Sequence, residues 1–137
     1  MTDKALPPAA RTPLWIHVTE GAKAGELRLQ HCADCGTVQY PPREVCGNCL
    51  GDNLEWKAVD GAGAVLSHTR LHGSMEPWFQ NRLPVDVVSV QLDAGPVLYA
   101  FAGDGTAQTG TAVTVKAQID EAGVAVLHAI RKIQGGA

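Results

Sequence analysis

From Gly61 onward apolar and polar residues alternate with a period of two, the signature of half-buried strands. Five segments carry the pattern: 64–72, 85–93, 97–102, 111–120 and 124–131. The cleanest is 111–120, where Val113, Val115, Ala117 and Ile119 face away from Thr114, Lys116, Gln118 and Asp120. In 85–93 the apolar face is Val88, Val90 and Leu92. In 64–72 alternation puts Val65, Ser67, Thr69 and Leu71 on one face, and Leu66, His68, Arg70 and His72 on the other. The breaks Ala94-Gly95-Pro96 and Glu121-Ala122-Gly123 read as tight turns. Five short strands with glycine-rich turns predict a small closed barrel, which leaves no open sheet edge, and five is the strand count of an OB-fold. The stretch 103–110 is too short and too glycine-rich for the helix that usually joins the third and fourth strands. The long first connection, 73–84, holds Met75, Trp78 and Phe79. It is the candidate interaction surface, the alternative being that Trp78 and Phe79 fold back as a plug in the barrel.

Ahead of the barrel the period changes. Leu14, Trp15, Val18 and Ala22 fall on one helical face, Thr12-Pro13 is a plausible start, and Gly21 or Gly25 a plausible end. Such a helix is too short to stand alone and needs a surface to lie against. Strands are expected at 26–30, 38–40 and 54–59, with Pro41-Pro42 ending the second. Trp56 reads as a packing residue over this region.

Composition supports a folded, mainly β chain. Of 137 residues, 45% are hydrophobic and 18% charged, so a core is affordable in composition, while 15 Gly and 8 Pro argue against long helices. Aromatics are only 5%, leaving Val, Leu, Ile and Ala to build the core. No apolar run approaches the ~20 residues of a membrane span. Net charge is −3, and neither half of the chain has a basic excess, which argues against nucleic-acid binding although OB barrels support it elsewhere. The segment MTDKALPPAARTP lacks the apolar core of a signal peptide, so the cytoplasm is the expected compartment.

That compartment decides how the cysteines read. All four lie in one stretch as two C-x-x-C pairs, Cys32/Cys35 and Cys46/Cys49, ten residues apart. In each pair a tight turn curls both sulfurs inward while backbone N–H groups point at them, and Gly36 can close the first turn in a left-handed conformation. Two disulfides would need an oxidising compartment, and a thioredoxin-like redox motif occurs once, not twice. A structural zinc held by Cys32, Cys35, Cys46 and Cys49 fits best, with iron in a rubredoxin-like site as the lesser alternative. Four thiolates leave no open coordination position, so the metal acts as a staple.

The order of features resembles one family. A Trp-containing amphipathic helix precedes Gly25-Glu26-Leu27-Arg28-Leu29-Gln30-His31-Cys32; then come Cys35-Gly36, Tyr40-Pro41-Pro42-Arg43, the pair Cys46/Cys49, Leu54-Glu55-Trp56, Gly61-Ala62-Gly63 and Val65-Leu66-Ser67-His68-Thr69. This resembles domain-of-unknown-function family 35, the Tyr-Pro-Pro-Arg bracket being the most specific part. The resemblance implies a rubredoxin-like zinc ribbon followed by a C-terminal OB-fold barrel, with metal ligation on Cys32, Cys35, Cys46 and Cys49 and no catalytic residue. It further implies an acyl-CoA context: an accessory subunit of a thiolase-like enzyme, or of a hydratase or aldolase acting on CoA thioesters. The C-terminal stretch 129–136 lacks the Phe-Arg-Pro-like ending of many members.

The expected organisation is a flexible arm over 1–13, a helix over 14–25, the ribbon over 26–60, the barrel over 61–133 and a flexible tail over 134–137. A CoA phosphate could be met by Arg43, Arg70, Arg82 or Lys116. Unaided catalysis has weak support. His68, His72 and Arg70 share a strand face, but Ser67 and Thr69 lie on the opposite one, and His17, His31 and His128 are scattered. The remaining alternatives are a single-stranded nucleic-acid binder and a rubredoxin-like electron carrier.

Overall fold

The computed structural model describes residues 6–7 and 12–131. Most of the expected arm and the whole expected tail lie outside the described residues. A single helical turn, Pro13–Trp15, leads into α1 (Ile16–Lys23), and Gly25, at φ 77°, turns the chain out of it. The face predicted from helical spacing is the one buried: Val18 is fully enclosed and Trp15 nearly so. The surface that α1 needs is supplied by the rest of the chain. The Trp15 indole donates to the carbonyl of Ala125 at 3.0 Å, and the Ala125 N–H donates to Thr19 Oγ1 at 3.2 Å.

A three-stranded antiparallel sheet follows, in the order β2-β1-β3, from β1 (Leu27–Cys32), β2 (Val38–Gln39) and β3 (Leu54–Val59). Trp56 stacks on His17 of α1 with ring centroids 4.7 Å apart and packs against the core, as a packing residue should. The chain then enters a closed barrel of five strands: β4 (Ala62–Leu71), β5 (Val85–Leu92), β6 (Val97–Ala102), β7 (Ala112–Ile119) and β8 (Ala125–Arg131). Their order around the barrel is β4-β5-β6-β8-β7, with β6 and β8 parallel and β7 returning to β4. This is an OB-like closed barrel. No helix forms over 103–110, as the glycine-rich sequence there predicts.

Alternation places Val88, Val90, Leu92, Leu98, Ala100, Val113, Val115, Leu127 and Ala129 inside. The cluster continues through Leu27 and Leu29 of β1 and Trp15 and Val18, so helix, ribbon sheet and barrel share one apolar core. The crossover from β3 to β4 is tight. The Val115 N–H donates to the Gly61 carbonyl at 2.8 Å, and a Cβ on Gly61 would collide with the Val115 carbonyl.

Two expectations need correction. Strict alternation fails in β4. Val65 pairs with Val90, but Ser67 pairs with Ser89, so Leu66 is an extra residue in a bulge. After the bulge the faces exchange. Val65 shares its side with His68 and Arg70, while Ser67 turns outward and meets Ser89 Oγ at 2.6 Å. Nor do Trp78 and Phe79 plug the barrel. They sit on α2 (Pro77–Gln80), which lays Phe79 against Phe101 on the outer face of β6, ring centroids 5.9 Å apart. Within the same connection Met75 remains exposed.

Candidate metal centre

The two C-x-x-C turns are built alike. In the first, the Cys32 N–H donates to the Thr37 carbonyl at 2.9 Å and the Gly36 N–H to the Cys32 carbonyl at 2.8 Å. In the second, the Cys46 N–H donates to the Gly51 carbonyl at 2.7 Å and the Leu50 N–H to the Cys46 carbonyl at 2.9 Å. The residue after the second cysteine is left-handed in both: Gly36 at φ 79° and Leu50 at φ 64°. Glycine accepts this conformation freely, whereas for leucine it is strained.

Facing one another, the turns bring all four Sγ atoms within 4.8 Å of each other, with Cys32 to Cys49 and Cys35 to Cys46 both 3.6 Å. A tetrahedral zinc thiolate centre with Zn–S near ~2.3 Å places its sulfurs ~3.8 Å apart. The sulfurs are not joined in disulfides. Cys32 and Cys46 are buried, and Cys35 and Cys49 line the exposed side.

Hydrogen bonds favour the thiolate at Cys35 and Cys46, while crowding opposes it at Cys49. Cys35 is held down to about 6, first by the Thr37 hydroxyl 3.1 Å from its sulfur, then by the Thr37 backbone and the Asn48 side chain. The backbone N–H groups of Cys49 and Asn48 lower Cys46. At Cys49 the Gly51 N–H favours the thiolate, but the Cys32 sulfur, desolvation and the sulfurs of Cys35 and Cys46 outweigh it, pushing it up to about 12. Polar donors favour anionic sulfur while crowding opposes a full set of thiolates. A divalent cation at the centre removes that conflict, and Cys32, Cys35, Cys46 and Cys49 are the residues that could hold it.

Two buried glutamines fix the distance between the turns. Gln30 on β1 donates through Nε2 to the Arg43 carbonyl at 2.7 Å and accepts at Oε1 from the Arg43 N–H at 2.8 Å. Gln39 on β2 donates to Gln30 Oε1 at 2.8 Å and to the Val45 carbonyl at 3.2 Å, and accepts from the Gly47 N–H at 2.9 Å. The pair thus pins the Tyr-Pro-Pro-Arg bracket and the second turn to the sheet that carries the first. Sequence reasoning missed both residues. The available signal was a glutamine two positions before the first cysteine and another before the bracket, on strands otherwise read only for apolar alternation.

The other candidate side chains are placed as follows. His68 and Arg70 converge on Asp86. His68 Nε2 lies 2.8 Å from Oδ1, Arg70 Nε donates to Oδ1 at 2.8 Å, and Arg70 Nη2 donates to Oδ2 at 3.3 Å. Arg70 first, then His68, hold the Asp86 carboxyl down to about 2. His72 is not part of this cluster, and Ser67 lies across the strand against Ser89, so among the described residues no nucleophile hydrogen-bonds His68. Arg70 is therefore engaged. So is Arg82, whose guanidinium lies 3.8 Å over the Trp78 ring and donates to the Trp78 carbonyl at 2.7 Å. Arg43 and Lys116 form no ion pair among the described residues.

Residues 19–55 match the family model for the ChsH2 rubredoxin-like zinc ribbon domain. Over 78 residues the chain is 35% identical to a probable enoyl-CoA hydratase alpha subunit of Thermomonospora curvata, covering 56% of this chain and 23% of that protein. Over 82 residues it is 28% identical to a DUF35 domain-containing scaffold protein of Methanocaldococcus jannaschii, covering 59% of this chain and 55% of that one. The chain thus spans about a quarter and about half of the lengths of these two relatives. Among solved structures, a chain of the Ltp2-ChsH2(DUF35) aldolase superposes with a TM-score of 0.72 at 23% identity, over 93% of this chain and 100% of that one. A DUF35-family protein of unknown function from Sulfolobus solfataricus superposes with a TM-score of 0.59 at 19% identity, over 88% of this chain and 87% of that one. Both likenesses are of fold.

Proposed function

With the resemblance to domain-of-unknown-function family 35 borne out by a zinc-ribbon match and by relatives of that family, we propose that this chain is a non-catalytic accessory subunit that binds and supports an enzyme acting on acyl-CoA thioesters. The carrying observation is the pair of facing cysteine turns. Their four sulfurs form a closed set around one point. Cys32, Cys35, Cys46 and Cys49 hold a structural zinc, which supplies no reaction chemistry and fixes the shape of the ribbon. Iron in this ligand set, which would make the chain a rubredoxin-like electron carrier, is the reading that metal analysis separates from zinc.

The rest of the molecule supports a scaffold. Among the described residues the one histidine–carboxylate contact, His68 with Asp86, is shared with Arg70, and no nucleophile hydrogen-bonds that histidine. The relatives named as a hydratase alpha subunit and a scaffold protein support a thioester-processing partner; that the partner is of thiolase, hydratase or aldolase type, and that the two meet in the cytoplasm, are part of the proposal. If the subunit touches the CoA phosphates directly, Arg43 and Lys116 are the uncommitted cations among those first considered.

The test is co-expression with candidate thioester enzymes encoded beside it, followed by native mass and metal analysis. A stable hetero-complex carrying one zinc per copy of this chain is expected. A chain that stays alone beside such an enzyme, or that turns over a thioester unaided, overturns the proposal. A red, iron-loaded chain overturns the zinc assignment.

A further inference from the structure

A cavity of about 480 Å³ lies far from the cysteines, on the outside of the barrel. Its floor is the outer face of β6 and β8. Phe101 and His128 pair there, while their neighbours Ala100, Leu127 and Ala129 point into the core. Trp78 and Phe79 of the 73–84 connection form one wall, and Pro7 contributes to the lining. The volume lies within the range of ordinary small-molecule sites, roughly 300–1,000 Å³.

Two polar atoms set this cavity apart from a packing defect. Among the described residues, the buried side-chain atoms left without a hydrogen bond are the Trp78 indole N–H and Asp120 Oδ2. Both residues line this cavity. The other carboxylate oxygen of Asp120 is occupied, accepting from the N–H groups of Ala122 and Val124 at 2.8 and 3.1 Å. Leaving a buried donor or acceptor unpaired costs about 1–3 kcal/mol each, so two such atoms at one site call for a partner.

We propose that this cavity is a binding site for a neutral, flat, apolar molecule that carries a hydroxyl or amide group. The aromatic walls of Trp78, Phe79 and Phe101 receive the apolar body. The hydroxyl or amide accepts from the Trp78 indole N–H and donates to Asp120. An anionic ligand is disfavoured because the Asp120 carboxyl lines the cavity, while the Arg82 guanidinium there is already paired with Glu121 at 4.0 Å and stacked on Trp78. Burial lowers the pKa of His128, which keeps the imidazole neutral as well. The connection that carries Trp78 is braced within itself, by hydrogen bonds from the Glu76 N–H to Ser74 Oγ and from Gln80 Nε2 to the Ser74 carbonyl, and is held to the barrel by Phe79 against Phe101. This inference is independent of the accessory-subunit reading.

The test is a titration of the metal-loaded, full-length ¹⁵N-labelled protein with 4-phenyl-1-butanol, following the indole N–H resonances of its three tryptophans. The Trp78 resonance should shift saturably, while those of Trp15 and Trp56 stay in place. The anion 4-phenylbutanoate should bind about ten-fold more weakly. Trp78→Phe, which keeps the ring and removes the donor, should weaken the alcohol by about five-fold, followed through the amide resonances of Phe101 and Val126. No saturable shift at Trp78, equal movement of all three indoles, or equal binding of alcohol and acid would each overturn the proposal.

Discussion

The ribbon and the barrel solve the same problem by opposite means. The barrel buries Val88, Val90, Leu98, Val113 and Ala129 completely or nearly so and holds itself by apolar packing. Across the segment that bears the cysteines, from Cys32 to Asn53, the buried side chains are Cys32, Gln39 and Cys46, none of them a large apolar group. That segment is too poor in apolar residues to close a core of its own. Its order comes from a four-sulfur centre and the glutamine bridge beneath it. A chain can therefore fold as one body while its parts depend on different physics, and each part fails under a different insult.

Metal removal should produce the largest effect and separate the two regions most sharply. Structural zinc sites contribute apparent free energies of order 10 kcal/mol to the folds they hold. Cys46→Ser, or chelation of the wild-type chain, should abolish amide-exchange protection in β1–β3. The amides of β5 and β6 should stay protected, although weakened by the loss of Leu27 and Leu29 from the shared core. Ribbon amides that stay protected in the metal-free protein would show that the sulfurs are passengers.

The sequence exposed these two regimes unequally. Cysteine spacing and period-two alternation are local signals, so the gathering of the four cysteines, the five barrel strands and the buried face of α1 were all readable along the chain. Three features were not readable because each is set by a partner distant in sequence. The bulge at Leu66 depends on how β4 meets β5, and it reversed the predicted faces of Ser67 and His68. Gln30 and Gln39 gain their meaning only when the bracket at Arg43 and the turn at Gly47 fold back on them. The position of Trp78 depends on the outer face of β6, so neither a freely exposed loop nor a barrel plug described it. Two of the four candidate cations are engaged in the fold. Arg70 is bound to Asp86, 16 residues on, and Arg82 lies over the Trp78 ring, four residues back.

A core truncation tests the barrel side of the comparison. Leu98 is fully buried on β6, and Leu98→Ala leaves a cavity where the barrel is densest. A loss of about 2–5 kcal/mol is expected, read from denaturant midpoints at unchanged m-value. Metal content should stay at one per chain, because Leu98 lies in the apolar core and none of the four cysteines belongs to that core. If metal were lost in proportion to stability, the two regions would be one cooperative unit, and the division drawn above would fail.

The smallest effect lies inside the ribbon, between its own two halves. Both cysteine turns end in a left-handed residue, but the first uses Gly36 and the second uses Leu50, whose side chain is 75% exposed. A leucine held left-handed carries roughly 1–2 kcal/mol of backbone strain that glycine does not. Exposure means that its side chain returns little of this in packing. Glycine also gains more freedom in the unfolded chain, which offsets part of the relief. Leu50→Gly should therefore stabilise the metal-loaded protein modestly, by about 0.5–1 kcal/mol, with metal stoichiometry unchanged. The change should appear as slower metal transfer to a competing chelator from this turn. A destabilised Leu50→Gly variant would mean that the leucine side chain holds the second turn in place, and that the resemblance between the two turns stops at the backbone.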